Sequence, residues 1–257
     1  MTVSFERRGM IGILSLDRPD KLNAMTHEMG DALQETLKVK AASPELRCLI
    51  LRANGRAFSA GGDLDFLSRN LARDHDANER DMRAFYDKFL TIHHMPIPTL
   101  ALVHGRATGA GLCLALACDV RILAEDAILS FNFTHLGLTP GMGGTWLLPR
   151  IVGYAKAADL AFSGRSIEAS EAHRWGLAEY VVPPDDLLPQ GLRWAERVAR
   201  GAPEAVRKTK ALLRANALLS LEEALAVEAQ AQADAFAGRE LPEGIRALKE
   251  RRRPDYA

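Results

Sequence analysis

The chain reads as a mixed α/β body over residues 1–182 followed by a helical region over 183–257, and three observations predict that division. Two short apolar runs, Cys48–Arg52 and Thr99–Val103, each stop at a glycine-rich turn and restart as helical pattern, about 50 residues apart. Beyond Asp185 strand-like runs give way to alanine- and glutamate-rich helical pattern. The composition, 47% hydrophobic and 26% charged over 257 residues, is that of a chain able to bury a substantial core.

Taken in order, Val3–Phe5 and Ile11–Leu16 read as two strands of a hairpin around Arg7–Gly9, and the Arg-Pro-Asp-Lys stretch at 18–21 breaks the pattern. Thr26 caps a helix whose Met29, Leu33 and Leu37 share one face. Cys48–Arg52 is a short strand running into the first glycine turn, Asn54–Asp63, with a helix from Leu64. Ser68–Arg80 is polar and aperiodic, a surface loop or the exposed start of a helix. Phe85, Phe89 and Ile92 restore helical spacing until Met-Pro-Ile-Pro at 95–98 ends it and delivers Thr99–Val103 as an interior strand.

After the second turn, His104–Gly111, a helix covers Leu112–Ala117, and Val120–Leu123 with Ile128–Phe131 read as another strand pair. Thr139–Thr145 is a third glycine turn before a helix near Trp146. Ser220 and Glu223 have capping-box spacing ahead of a long helix; Pro242 starts the last helix and Pro254 closes it.

The formal net charge is zero, which argues against nucleic acid as a dominant partner. Three cysteines, 48, 113 and 118, form neither a disulfide framework nor a metal-ligand spacing, so no metal is expected. The first residues lack a signal-peptide core and no apolar run approaches membrane-spanning length, so the expected location is cytoplasmic, with no membrane partner.

The second turn has a chemical reading. Gly105, Gly109 and Gly111 let a ligand approach the main chain, and the helix start that follows has unpaired N–H groups. Such a turn suits a phosphate or a developing oxyanion; as a lone feature it is equally a close-packed crossover.

With these stretches side by side, the chain resembles the crotonase superfamily, the enoyl-CoA hydratase/isomerase family. The matching pieces are LDRPDKLNAM at 16–25, AFSAGGDL at 57–64, PTLALVHGRATGAGLCLALACDVRIL at 98–123, LGLTPGMGGTWLLPRIVG at 136–153, LAFSGRSIEASEAHRWGLAEYVV at 160–182 and EGIRALKERRRPDY at 243–256. The resemblance implies a crotonase (ClpP-like) α/β fold of repeated ββα units in two sheets, a helical C-terminal trimerisation region, and a homotrimer or dimer of trimers. It implies no tightly bound cofactor, and coenzyme A as part of an acyl-CoA substrate. By motif position the thioester oxygen should lie between the backbone N–H groups of Gly62 and Ala110; alanine at 110 keeps the N–H and adds a methyl group to the site. Arg18, Lys21 and Leu22 are the carried-over contacts for the nucleotide and pantetheine, Ala60, Asp63 and Leu64 for the adenine side, and Phe236 and Lys249 for a neighbouring subunit's CoA. Lys21 is equally read as a solvated turn residue, and Asp63 as a helix cap.

The pattern breaks at the acids. The two hydratase glutamates of the family correspond to Cys113 and Phe133, and the aspartate used by some isomerases and dehalogenase-like members corresponds to Gly141. Water held between two carboxylates is therefore not expected, and isomerase or decarboxylase-type chemistry through an enolate is. Tyr86 and His135 are the candidate proton carriers, Asp65 and Cys113 weaker ones. Tyr86 alternatively packs with Phe85 and Phe89, His135 alternatively hydrogen-bonds its own loop, and Cys113 alternatively belongs to the core. His93, His94 and His104 have no acidic partner in local sequence, and His104 takes a turn role. A non-catalytic acyl-CoA-binding protein is the alternative, suggested by Phe131, Phe133 and Trp146 around the acyl end.

Overall fold

The computed structural model describes residues 2–41 and 43–256. Its frame is a six-stranded sheet in the order β1 (Val3–Arg8), β2 (Ile11–Leu16), β3 (Cys48–Ala53), β4 (Thr99–Val103), β6 (Val120–Ala124) and β9 (Tyr180–Val182). β1 pairs antiparallel with β2, Val3 opposite Leu16, and every later pairing is parallel. β2 and β4 are buried along their whole length, which is why they read as unbroken apolar runs rather than alternating ones.

A second sheet holds β5 (Arg106–Thr108), β7 (Ile128–Ser130) and β8 (Ser166–Glu168). The expected pair at 120–131 is therefore two strands in different sheets. The chain leaves the large sheet after β6, turns at Glu125–Asp126, and β7 pairs instead with β5 and β8. β4 and β5 divide the same way, at His104–Gly105, where φ at Gly105 is +53° and the Arg56 carbonyl leaves no room for a Cβ.

Helix α1 (His27–Val39) starts at Thr26, whose Oγ1 accepts from the Met29 N–H at 3.2 Å, and buries Met29, Leu33 and Leu37 against the first sheet's main core. The polar stretch 68–80 is mostly helical: Ser68–Asn70 finish α2 (Leu64–Asn70) and His75–Arg80 open α3 (His75–Leu90), with only a short connection between them. Asp74 caps α3 by accepting from Ala77 N–H at 2.7 Å, a start signal hidden among so many other charges. α4 (Ala110–Leu116) is buried at every residue. α5 (Gly144–Val152), α6 (Tyr154–Ser163) and α7 (Ala169–Arg174) follow.

Beyond residue 182, α8 (Leu187–Ala199) buries Leu187 and Ala195 against Ile11, Ile13, Ile50, Leu100, Leu102 and Ile122. This helix covers the other face of the large sheet, so it is a layer of the body rather than part of an extension. α9 (Pro203–Asn216), α10 (Leu221–Ala237) and α11 (Glu240–Lys249) complete the chain. Ser220 and Glu223 form the capping box the spacing predicts. The last helix begins two residues before Pro242 and stops at Lys249, ahead of Pro254.

Candidate active site

The two glycine turns interlock. Phe58 N–H donates to the His104 carbonyl at 3.1 Å, Ser59 N–H to that of Arg106 at 3.0 Å, and Thr108 N–H returns a bond to Ser59 at 3.0 Å. Gly61 has φ +93°, and a Cβ there would stand 2.7 Å from the Thr108 carbonyl oxygen; one on Gly111 would stand 2.6 Å from Ser59 Cβ. Only glycine permits this approach.

The loop at 18–25 locks on from the other side. Ala60 N–H donates to Leu22 at 2.9 Å and Met25 N–H to Gly61 at 2.7 Å. Asn23, fully buried, donates to the carbonyls of Asn54 and Ala57 and accepts from Arg18 N–H. Asn23 went unread in the sequence because its role is to tie three separate segments.

Several amides at the junction have acceptors: Gly61 N–H donates to Ser59 Oγ, Asp63 N–H to Met25 and Gly109 N–H to Ser130. The N–H groups of Gly62 and Ala110 meet no protein acceptor among the described residues. Both residues line one cavity of about 670 Å³. An unpaired, sheltered N–H is an uncommon thing in a folded protein, and two at one cavity mark a place for a ligand acceptor.

The cavity draws its walls from five stretches, one of them the second glycine turn with Thr108, Gly109 and Ala110. Lys21, Ala60, Asp63 and Leu64 come from the first loop and turn. Phe66 and Leu67 come from α2, and Met82, Phe85 and Tyr86 from α3. Asn132, Phe133, Leu136, Leu138 and Met142 come from the stretch after β7. Phe66 and Phe85 stack at 5.0 Å, and with Tyr86 and Phe133 they supply the aromatic part of the wall.

Among the carried-over contacts, Lys21 is exposed at the cavity's edge. Arg18 lies behind it, its guanidinium 3.3 Å from Asp63 Oδ2 and 3.0 Å from the Ala24 carbonyl. Asp63 also caps α2, accepting from Asp65 and Phe66, so its cap and lining positions coexist. Leu22 holds the loop in place with a left-handed φ of +50° and does not line the cavity. Phe236 and Lys249 share a separate surface recess with Leu241 and Ile245.

The proton-carrier candidates part company here. Tyr86 is half-buried, lines the cavity, and its hydroxyl has no protein hydrogen-bond partner among the described residues. Burial raises its pKa above the ordinary tyrosine value, with a smaller push from Cys113. His135 is turned outward: it is exposed, lies outside the cavity wall, and has Nε2 2.7 Å from the Ser163 carbonyl. The short 3-10 turn Phe133–Leu136 repeats every three residues, so Phe133 and Leu136 share the cavity face while His135 points to the end of α6. In this structure His135 fastens its loop to the end of α6.

Cys113 is wholly buried, and burial pushes its thiol far above the usual range. It sits beneath Gly144, whose Cβ would stand 2.9 Å from Sγ, and it does not reach the cavity. Asp65 is exposed on the first turn of α2 at the cavity wall. His93 Nδ1 lies 3.2 Å from the Ala117 carbonyl, and His104 Nε2 2.8 Å from that of Gly55, both structural contacts. Among the described residues no group of three or more metal-ligating side chains converges, and no helix is long and apolar enough to cross a membrane.

Two sheets joined by interlocked glycine turns over an apolar cavity define a crotonase-type fold. The chain belongs to the enoyl-CoA hydratase/isomerase family, whose model matches residues 6–257, and is an enzyme of that family. It is 34% identical to 1,2-epoxyphenylacetyl-CoA isomerase of Escherichia coli strain K12, over 95% of this chain and 93% of that one. It is 32% identical to crotonyl-CoA hydratase of Syntrophomonas wolfei subsp. wolfei, over 99% and 97%. The crystal structure of an enoyl-CoA hydratase from Bacillus anthracis superposes with a TM-score of 0.93 at 32% identity, covering 100% of this chain and 99% of that one. An enoyl-CoA hydratase from Polaromonas sp. JS666 gives 0.94 at 31% identity, covering 99% of each.

Proposed function

We propose that this chain binds an acyl-CoA thioester, holds its carbonyl oxygen between the N–H groups of Gly62 and Ala110, and turns it over through an enolate. The observation that carries this reading is the pair of unpaired amides at one cavity. Two donors aimed at one oxygen favour the negative charge that develops there, and they need no reorganisation as it forms.

The reaction is of a kind that needs no carboxylate pair. A thiol, a phenyl ring and a glycine stand at the positions where relatives of the family keep acids, and none of the three accepts a proton at neutral pH. Tyr86, its pKa raised by burial, stays a protonated phenol, so it gives a proton rather than takes one. Loss of carbon dioxide from a malonyl-type thioester asks for little more: the C–C bond breaks, neutral carbon dioxide leaves, its bonding pair carries the charge from the carboxylate into the enolate between the two amides, and Tyr86 protonates the carbon left behind. Isomerisation stands second, with Asp65 a carboxylate at the wall. Hydration is disfavoured because Cys113 and Phe133 stand where the family's hydratases are expected to hold their two glutamates.

Lys21, Ala60, Asp63 and Leu64 would meet the CoA arm, with Arg18 and Leu22 fixing the loop that presents them. We place Phe236 and Lys249 at a neighbouring subunit's CoA and assign α10 and α11 to a trimer contact. The exposed apolar side chains Leu221, Leu225, Phe236 and Leu248 support that assignment, since α10 buries none of its own residues.

The test is a panel of malonyl-, enoyl- and dienoyl-CoA esters followed by absorbance and mass. Carbon dioxide release from a malonyl ester, lost in Tyr86→Phe, is the expected result. Tight binding without turnover across the panel would instead make the chain a non-catalytic acyl-CoA binder.

A further inference from the structure

One polar side chain at the cavity has neither a protein partner among the described residues nor a part in holding the thioester oxygen. Asn132 is the only carboxamide among the lining residues, and it occupies the N-cap position of the Phe133–Leu136 turn. Asparagine at that position ordinarily accepts a hydrogen bond from the turn it precedes, yet here its side chain caps nothing and meets no other protein partner among the described residues. Its Oδ1 lies instead 3.5 Å from the point where a Cβ on Gly109 would stand, beside Phe133 Cζ at 3.7 Å. Gly109 is the residue immediately before Ala110. The spare amide is therefore held over Gly109, whose successor carries one of the two free backbone donors, and Phe133 Cζ lies 3.7 Å from the same point on Gly109.

A carboxamide offers both a donor and an acceptor, and Asn132, half-buried at the cavity wall with no protein partner for its side chain among the described residues, keeps both for a ligand. From these observations, and resting on the acyl-thioester reading above, we propose that Asn132 is a specificity-determining residue that hydrogen-bonds an oxygen on the third carbon of the acyl group. The substrate class is then an acyl-CoA with oxygen at that carbon: the carboxylate of a malonyl-type ester, or a 3-hydroxyl. Asn132 is uncharged, so it orients a carboxylate without neutralising the charge whose loss drives decarboxylation. Thr108 and Thr139 also line the cavity, but each offers one hydroxyl rather than the separate donor and acceptor of a carboxamide.

The experiment measures Kd for butanoyl-CoA and 3-hydroxybutanoyl-CoA, and KM for malonyl-CoA, on the full chain and on Asn132→Leu and Asn132→Asp. The full chain should bind 3-hydroxybutanoyl-CoA about five- to tenfold more tightly than butanoyl-CoA, the worth of one net hydrogen bond, and N132L should bring the two within about twofold. N132D keeps an acceptor for the hydroxyl but repels a carboxylate, so it should raise the KM for malonyl-CoA while retaining part of the hydroxyl preference. N132D also serves should N132L fail to fold. Equal binding of the two butanoyl esters by the full chain, or an undiminished preference in both variants, overturns the role of Asn132. Failure of butanoyl-CoA itself to bind would overturn the acyl-CoA reading instead.

Discussion

Tyr86 fills the space that a side chain at position 141 would need: a Cβ on Gly141 would stand 2.9 Å from Tyr86 Cζ, with the hydroxyl closer still. The two positions are thus one choice. Either an acid follows the proline of that turn, or a phenol reaches across from α3, and this chain has the second arrangement.

Putting an acid back should therefore fail in an informative way. Gly141→Asp drives its Cβ into a half-buried ring and is expected to cost about 1–3 kcal/mol of stability. Adding Tyr86→Ala to G141D should recover much of that cost, so that the two changes are non-additive in urea titrations.

Tyr86 as the proton donor predicts a one-sided pH profile. The phenol is the active form and burial raises its pKa, so turnover persists through neutral and mildly alkaline pH and falls only above the ordinary tyrosine value near about 10. Tyr86→Phe should lower kcat about 10²–10⁴-fold and remove that alkaline limb. Steady-state rates across pH, with folding checked by circular dichroism, decide it.

The closeness of the two glycine turns should be indispensable. Gly61→Ala places a methyl 2.7 Å from the Thr108 carbonyl at a φ of +93°, so either the turns part or the backbone strains. Loss of thioester turnover and a lowered Tm are expected together. Gly9→Ala, at φ +58° with open space around it, serves as the control: backbone strain but no steric intrusion and no loss of turnover.

Far from the cavity, Asp119 ties α9 to the body. Its carboxylate lies 2.6 Å from the buried Lys210 ammonium, 2.7 Å from Arg214 and 2.8 Å from Thr99 N–H. Burial pushes the acid up, but Lys210, Thr99 and Arg214 outweigh it and hold it below the ordinary range. Its stabilisation is thus present above the unfolded-state pKa near about 4 and lost as pH falls through the lower folded value. Asp119→Asn strands a buried lysine and should cost about 3–5 kcal/mol at pH 7, with a shallower loss of stability in acid than wild type. Urea unfolding across pH measures both.

Local chemistry was legible where it is written in adjacent residues. Thr26, the Ser220–Glu223 box and the two glycine turns all announce themselves, because a cap or a turn is settled within a few positions. The split of β6 and β7 between sheets was not, since both are short apolar runs and partner choice depends on strands elsewhere in the chain. The site divides along the same line. Gly62 and Ala110 were named by the family resemblance of the two turns, whereas the outward face of His135, the space Tyr86 takes beside Gly141, and the idle amide of Asn132 depend on contacts across 23 to 55 positions. No pattern in a single stretch encodes them.

The most direct test is a crystal structure with butanoyl-CoA bound. The account predicts a thioester oxygen about 2.7–3.1 Å from both Gly62 N and Ala110 N, with the acyl group against Tyr86 and Phe133. A thioester oxygen bound elsewhere, or either amide turned from it toward a protein acceptor, would contradict it.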